Sequence, residues 1–151
     1  PAQFMLDLLE GKDTLKVSDK VACGVVISMP PYPHDSGTPQ KEHAGYPMFD
    51  LTDDDVIKNI HLASVMKGKA PCMVDGKVKL NHEQYVTAGN YVCIVTGVGN
   101  TVEDAREDCY TRIKKKINIP NSIGYRVDIG CRLEKQLPDL KKLGYSNRKY
   151  C

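Results

Sequence analysis

The residues best suited to chemistry stand near the C-terminal end, in the stretch GYRVDIGCRL at 124–133. Arg126, Asp128 and Arg132 alternate there with apolar or small residues. In an extended chain, successive side chains point to opposite faces. The spacing therefore predicts a half-buried strand with Tyr125, Val127, Ile129 and Cys131 on one side and the charges on the other. Guanidinium forks match the geometry of phosphate and carboxylate, so two arginines oriented by one carboxylate could contact an anion. The same residues could equally form a surface ion-pair ladder worth only ~0–1 kcal/mol. The pattern leaves both readings open.

Other constellations point to structure more than to chemistry. Gly97-Val98-Gly99 follows an apolar run and precedes a helical pattern, as a phosphate loop would, but Val102 stands where a third glycine is needed and no G-K-[ST] follows. A plain turn near Gly99 and Asn100 is the expectation. His34, His43, His61 and His82 lack the spacing of a metal cluster, and His61 reads as a structural histidine. Asp53-Asp54-Asp55 directly follows Thr52, a position where acids favour a helix N-terminus. The six cysteines form no C-x-x-C pair, and three of them (Cys23, Cys93, Cys131) lie in apolar runs. Free thiols of a cytoplasmic protein are expected, with no zinc site. Neither a Ser-His-Asp nor a Cys-His arrangement occurs, and no lysine strand with acidic metal ligands would support phosphoryl transfer. The residues predict neither a catalytic set nor a metal centre.

The elements that must position the charged stretch are well signalled. Residues 1–10 carry Phe4, Met5, Leu8 and Leu9 at helical spacing, with Gly11 as a C-cap. The run KVACGVVIS at 20–28 predicts a strand buried on both faces, stopped by Pro30-Pro31-Tyr32-Pro33. A loop follows over 34–45, and a second strand is expected at 60–66. Asp75-Gly76 between Met73-Val74 and Lys77-Val78 marks a tight hairpin. Another strand covers 90–97. A helix then opens at Thr101, with Asp104 completing a capping box. Ala105, Cys109, Ile113 and Ile117 share one face of it, Lys114–Lys116 occupy its last turn, and Pro120 ends it. Residues 134–151 read as a peripheral helix or loose tail. The fold class is α+β, a mostly antiparallel sheet with one packed helix.

The 151 residues are 41% hydrophobic and 26% charged, values of an ordinary globular domain. A formal net charge of +2 gives no reason to expect a nucleic-acid or membrane-surface partner. No apolar run approaches ~18 residues, so neither a signal peptide nor a membrane span is expected. The chain starts at Pro1, which fits a removed initiator or a piece of a longer protein.

The run TAGNYVCIVTGVGNTVEDAR at 87–106, then Tyr110, then YRVDIGCR at 125–132, resembles the C-terminal domain of phosphoribosylamine–glycine ligase. Val21–Ser28 with Tyr32-Pro33 is similar to that domain's first strand and turn, and His61-Leu62-Ala63-Ser64 is similar to its His-Ala-Gly-Thr. The sequence departs from the family at Pro30-Pro31, Asn90 and Val127, and in a longer segment over 65–84. The resemblance implies the fold of the C-terminal domain of ATP-grasp ligases over 1–133, with 1–11 a lead-in helix and 134–151 an extension. It further implies a part of an enzyme that joins glycine to phosphoribosylamine with ATP and Mg²⁺. The ATP-grasp lysine and metal ligands would lie upstream, so this chain would hold no cofactor of its own and would not turn over alone. Its partners would be an ATP-grasp core, on the same or another chain, and through it phosphoribosylamine and glycine. Arg126 and Arg132 would contact anions, Asp128 would orient them, and Tyr32 and Pro33 would form cleft wall. Two alternatives remain: a non-catalytic interaction module derived from this domain, or the C-terminal region of another ATP-grasp enzyme such as biotin carboxylase.

Overall fold

The computed structural model describes residues 2–16, 18–33, 40–120 and 123–145. His34 and Cys151, both part of the sequence reading, lie outside the described residues. The elements in chain order are α1 (Ala2–Leu9), β1 (Val21–Ser28), a 3-10 turn (Gln40–His43), β2 (Ala44–Pro47), α2 (Asp53–Lys58), β3 (Ile60–Leu62), β4 (Val65–Val74), β5 (Lys77–Ala88), β6 (Tyr91–Gly99), α3 (Val102–Lys116) and α4 (Cys131–Lys142).

The strands form two antiparallel three-stranded sheets, ordered β1-β6-β3 and β2-β5-β4. The expected α+β class is observed, but the expected single sheet is divided. The predicted strand at 60–66 is where this happens. Ile60–Leu62 pairs with β6, whereas Val65 onward pairs with β5. Ala63 and Ser64 stitch the two, donating to Val92 O and Tyr91 O, while Ala88 N donates back to Ser64 O at 2.7 Å. An apolar run of this kind carries no sign of such a change of partner.

The hairpin lies where Asp75-Gly76 placed it. Both residues have positive φ, 51° and 71°, as a two-residue turn between right-twisted strands requires. Thr101 and Asp104 form the predicted capping box, and Ala105, Cys109 and Ile113 are buried on the face that α3 turns to the sheet. They join Val25, Ile27, Ile60, Val92 and Val95 in the main core. Thr52 and Asp55 make a second capping box on α2, so the acidic run serves the helix N-terminus as expected.

Three expectations need correction. First, β1 is an edge strand: Cys23, Val25 and Ile27 are buried, but Ala22 and Gly24 face outward. An apolar run does not distinguish a small residue on an open face from one in a core. Second, β6 runs past the expected strand end at Gly97 to Gly99, and the chain bends only from Asn100 onward. A Cβ on Gly97 would lie 2.3 Å from Cys109 N, and one on Gly99 would lie 2.4 Å from Ala105 N. These glycines exist because α3 crosses β6 almost in backbone contact. Third, residues 124–133 are not a strand. Only Gly124 pairs with β1, through a single bridge to Ser28. The segment is then irregular until α4 begins at Cys131, with Gly130 at φ 86° as its N-cap. The expected inward face is lost as well: Val127 is 70% exposed, beside exposed Arg126 and Asp128, and side chains of α3 take main-chain groups that a ladder would use.

Candidate functional site

The anchor of the site is α3. Its buried face is fixed to β6 by the two close glycine crossings, and its outer face presents Arg106 and Tyr110, one turn apart. Spacing of four residues places them one above the other on the helix surface. Tyr110 Oη donates to Arg126 O at 2.7 Å and accepts from Ile129 N at 3.2 Å. Arg106 Nε donates to Ile129 O at 2.6 Å. Its other two nitrogens reach Glu134 Oε1 and Cys131 Sγ, each at 2.9 Å. The guanidinium also lies 5.9 Å from the centre of the Tyr110 ring, and the Tyr110 and Tyr125 rings stand 6.4 Å apart. Burial works against the Arg106 charge, but the Glu134 hydrogen bond and nearby negative groups raise its pKa overall. Burial likewise pushes the Tyr110 phenol above its ordinary value.

On this frame the 125–131 segment carries the predicted charges. Arg126 meets Asp128 through two parallel bonds, Nε to Oδ1 at 2.9 Å and Nη2 to Oδ2 at 2.6 Å. Those bonds hold the Asp128 carboxyl below the usual carboxylate range and raise Arg126, and Arg132 adds a weaker electrostatic pull on Asp128. Arg132 sits in the first turn of α4 and makes no hydrogen bond or ion pair among the described residues. It lines a cavity of about 400 Å³ whose walls include Val21, Gly24, Val102, Arg106 and Ile129. The fold therefore pairs Arg126 with Asp128 and places Arg132 apart, on α4 beside the cavity.

Tyr32 and Pro33 stand elsewhere. Tyr32 follows β1, its N–H bonded to Met29 O and its ring stacked on Tyr91 with centroids 5.5 Å apart. The cavity beside Arg132 opens against the start of β1, at Val21–Gly24. At ~3.3 Å per residue, the strand separates the two places by roughly 20 Å.

Sequence reasoning missed Arg106 and Tyr110. Their i,i+4 spacing on one helix face was a visible signal, and Arg106 closes the run that carries the family resemblance. What the sequence lacks is any sign that their partners are main-chain atoms 16 to 23 residues away.

Beneath the β4–β5 hairpin lies a second polar cluster. Asp53 accepts from Tyr85 Oη at 2.6 Å and from Lys67 Nζ at 2.7 Å, and Lys67 rests 4.2 Å above the Tyr85 ring. Hydrogen bonds from Lys67 and Tyr85 lower Asp53, while Asp53 raises both partners. Each group is thus locked in its ordinary charge state, which suits a tie between α2 and the hairpin. His61 bonds Thr96 Oγ1 through Nε2 at 3.2 Å. Among the described residues no cluster of His, Cys, Asp and Glu could hold a metal, and the five described cysteines are free. Burial pushes the Cys93 and Cys109 thiols up to about 12, which leaves them unreactive as nucleophiles. No helix among the described residues is long and apolar enough to cross a membrane.

A comparison with protein families finds one whose profile matches residues 22–132, described as phosphoribosylglycinamide synthetase, C domain. The match runs from β1 to the first turn of α4, so it takes in both sheets, α3 and the whole clamped segment. No curated protein matches the chain. The chain belongs to the phosphoribosylglycinamide synthetase C-domain family, the C-terminal domain of a ligase of purine biosynthesis.

Proposed function

We propose that this domain packs on an ATP-grasp core and closes part of the cleft in which glycine is joined to phosphoribosylamine. The observation that carries the reading is the Arg126–Asp128 pair on a segment clamped to α3, with Arg132 just beyond it in the first turn of α4. Arg132, with no ion-pair partner among the described residues, is the cation free to meet an anionic group of the substrate. Arg126 would contribute once Asp128 has oriented it. Tyr32 and Pro33, at the other end of β1, would form wall where the core meets the sheet.

ATP and Mg²⁺ would bind the core and supply the activation of the carboxylate. This chain's residues would shape the cleft, hold substrate charge and exclude water. The protein would work in the cytoplasm, where its cysteines stay reduced. A second reading, a non-catalytic interaction module, draws on α1. That helix buries none of its side chains, and Met5, Leu6, Leu8 and Leu9 are all exposed, as expected of a helix that docks on a partner. An ATP-grasp core would serve as that partner equally well.

The test is steady-state kinetics of a ligase that carries this domain. Arg126→Ala and Arg132→Ala should raise the KM for phosphoribosylamine with kcat little changed, the pattern of lost binding common to ground state and transition state. An unchanged KM in both variants would discard the assignment.

A further inference from the structure

We propose that Arg106 and Tyr110 are positioning residues: together they set the direction in which Arg126, Asp128 and Arg132 project from the domain. The significance of that direction for substrate rests on the reading above, but the clamp itself stands on geometry alone.

The 125–130 segment has little hold of its own. After the paired bonds between Ser28 and Gly124, at 2.9 and 2.7 Å, no ladder continues. The next internal bond is Cys131 N to Asp128 O at 3.1 Å. Between these points the main chain is held by α3 side chains: Arg126 O and Ile129 N by the Tyr110 hydroxyl, Ile129 O by Arg106. The Arg126–Asp128 pair cannot fix its own orientation. Its side chains are 71% and 52% exposed, and exposed pairs contribute little. Their direction is inherited from the main chain, and the main chain takes it from α3.

Each clamp residue uses chemistry that a near relative lacks. Tyr110 donates and accepts through one oxygen, which phenylalanine cannot do. Arg106 spreads three nitrogens over a carbonyl, a carboxylate and a thiol on the segment and on α4, and a lysine ammonium has no such fork. The Arg106 side chain also passes so close to Gly130 that a Cβ there would lie 2.6 Å from Arg106 Cδ. Gly130 is needed both for its φ of 86° and for this passage. Because α3 is seated on β6 at Gly97 and Gly99, the chain of support runs from the core through α3 to the charged segment.

The experiment is amide and arginine side-chain NMR on this chain, with melting measured alongside. Tyr110→Phe should speed hydrogen exchange at the Ile129 amide by about tenfold or more and shift or broaden the Arg126 Nε–H signal, while β6 amides keep their protection. Arg106→Lys should do the same despite its retained charge. Glu134→Gln, which leaves the Arg106 bond to Ile129 O in place, should leave both readouts near the parent values. Unaltered Ile129 exchange and Arg126 signals in Tyr110→Phe, or parent behaviour in Arg106→Lys, would overturn the proposal. In a ligase carrying the domain, Tyr110→Phe should raise KM and spare kcat. If Arg126→Ala and Arg132→Ala leave KM unchanged while Tyr110→Phe still loosens Arg126, the substrate reading falls and the clamp stands.

Discussion

Replacing Gly97 with alanine should be among the most damaging single-methyl additions in this domain. The new Cβ would sit 2.3 Å from Cys109 N, 2.4 Å from Ala105 O and 2.7 Å from Cys109 Cα. Ordinary contact begins at 3.4 Å, so the shortest approach, at 2.3 Å, is 1.1 Å too close. All three atoms are backbone, and no rotamer change relieves them. Helix α3 must retreat by about that distance, and a gap of 0.5–1 Å already forfeits roughly a quarter to a half of each dispersion contact. Those contacts belong to Ala105, Cys109 and Ile113, at most 1% exposed. Overpacking ordinarily costs about 1–3 kcal/mol, and a rigid backbone obstacle places this case at ~3 kcal/mol or above. For a domain of this size that corresponds to a melting point lower by roughly 6–12 °C. Gly24→Ala is the control, since its Cβ would meet Ile94 Cγ2 at 3.6 Å and Thr96 Cγ2 at 4.0 Å on the open face. It should melt within about 2 °C of the parent, the shift of a change worth ~0.5 kcal/mol. Thermal unfolding followed by circular dichroism compares the two, and equal melting points for Gly97→Ala and Gly24→Ala would refute the close-crossing argument.

Further outcomes follow from the caps, the carboxylates and the thiols. Thr101→Ala removes the α3 capping box and should cost ~1 kcal/mol in urea unfolding at neutral pH. Thr111→Ala, on the exposed side of the same helix, should cost only a few tenths and serves as the comparison. Asp55 is held below its ordinary value of 3.8, first by the Thr52 hydroxyl and also by Lys116, and Asp53 is held down by Lys67 and Tyr85. Their folded pKa values are depressed, so the stability they contribute is present above the unfolded value and is lost as pH falls below about 3.8 through the folded ones. Urea midpoints measured from neutral pH into acid should fall in that window, and Asp53→Asn should flatten part of the decline. Cys93 and Cys109 should resist alkylation by iodoacetamide under mildly alkaline conditions in the native protein and react once it is unfolded, and mass spectrometry of the modified peptides reads this out.

Local chemistry made much of the fold legible. Asp75-Gly76 announced a hairpin, Thr101 with Asp104 announced a helix start, and Gly11 closed a helix, because in each case the residues and the structure they make are adjacent. The failures all involve partners distant in sequence. Residues 60–66 read as one strand because nothing at Ala63 or Ser64 reveals that the chain leaves β6 for β5. The strand read as ending at Gly97 with a turn at Gly99, because the reason for both glycines lies in the backbone of Cys109 and Ala105. Residues 124–133 read as a strand because residue types alternate there; in the fold Val127 is exposed with Arg126 and Asp128, and Arg106 and Tyr110 occupy main-chain groups a neighbouring strand would need. The same segment shows how far a site could be read. Arg126, Asp128 and Arg132 were chosen from residue type and spacing; the fold pairs the first two and sets Arg132 on the following helix. The element that carries them is different, and its support was out of reach of any local pattern.

If this chain is a ligase C domain that shapes a cleft and leaves phosphoryl transfer to another unit, it should be inert on its own. Mixing it with ATP, Mg²⁺, glycine and phosphoribosylamine and following ADP release puts that to trial. ADP should form no faster than in a mixture without protein. Sustained turnover proportional to the amount of chain would contradict the assignment.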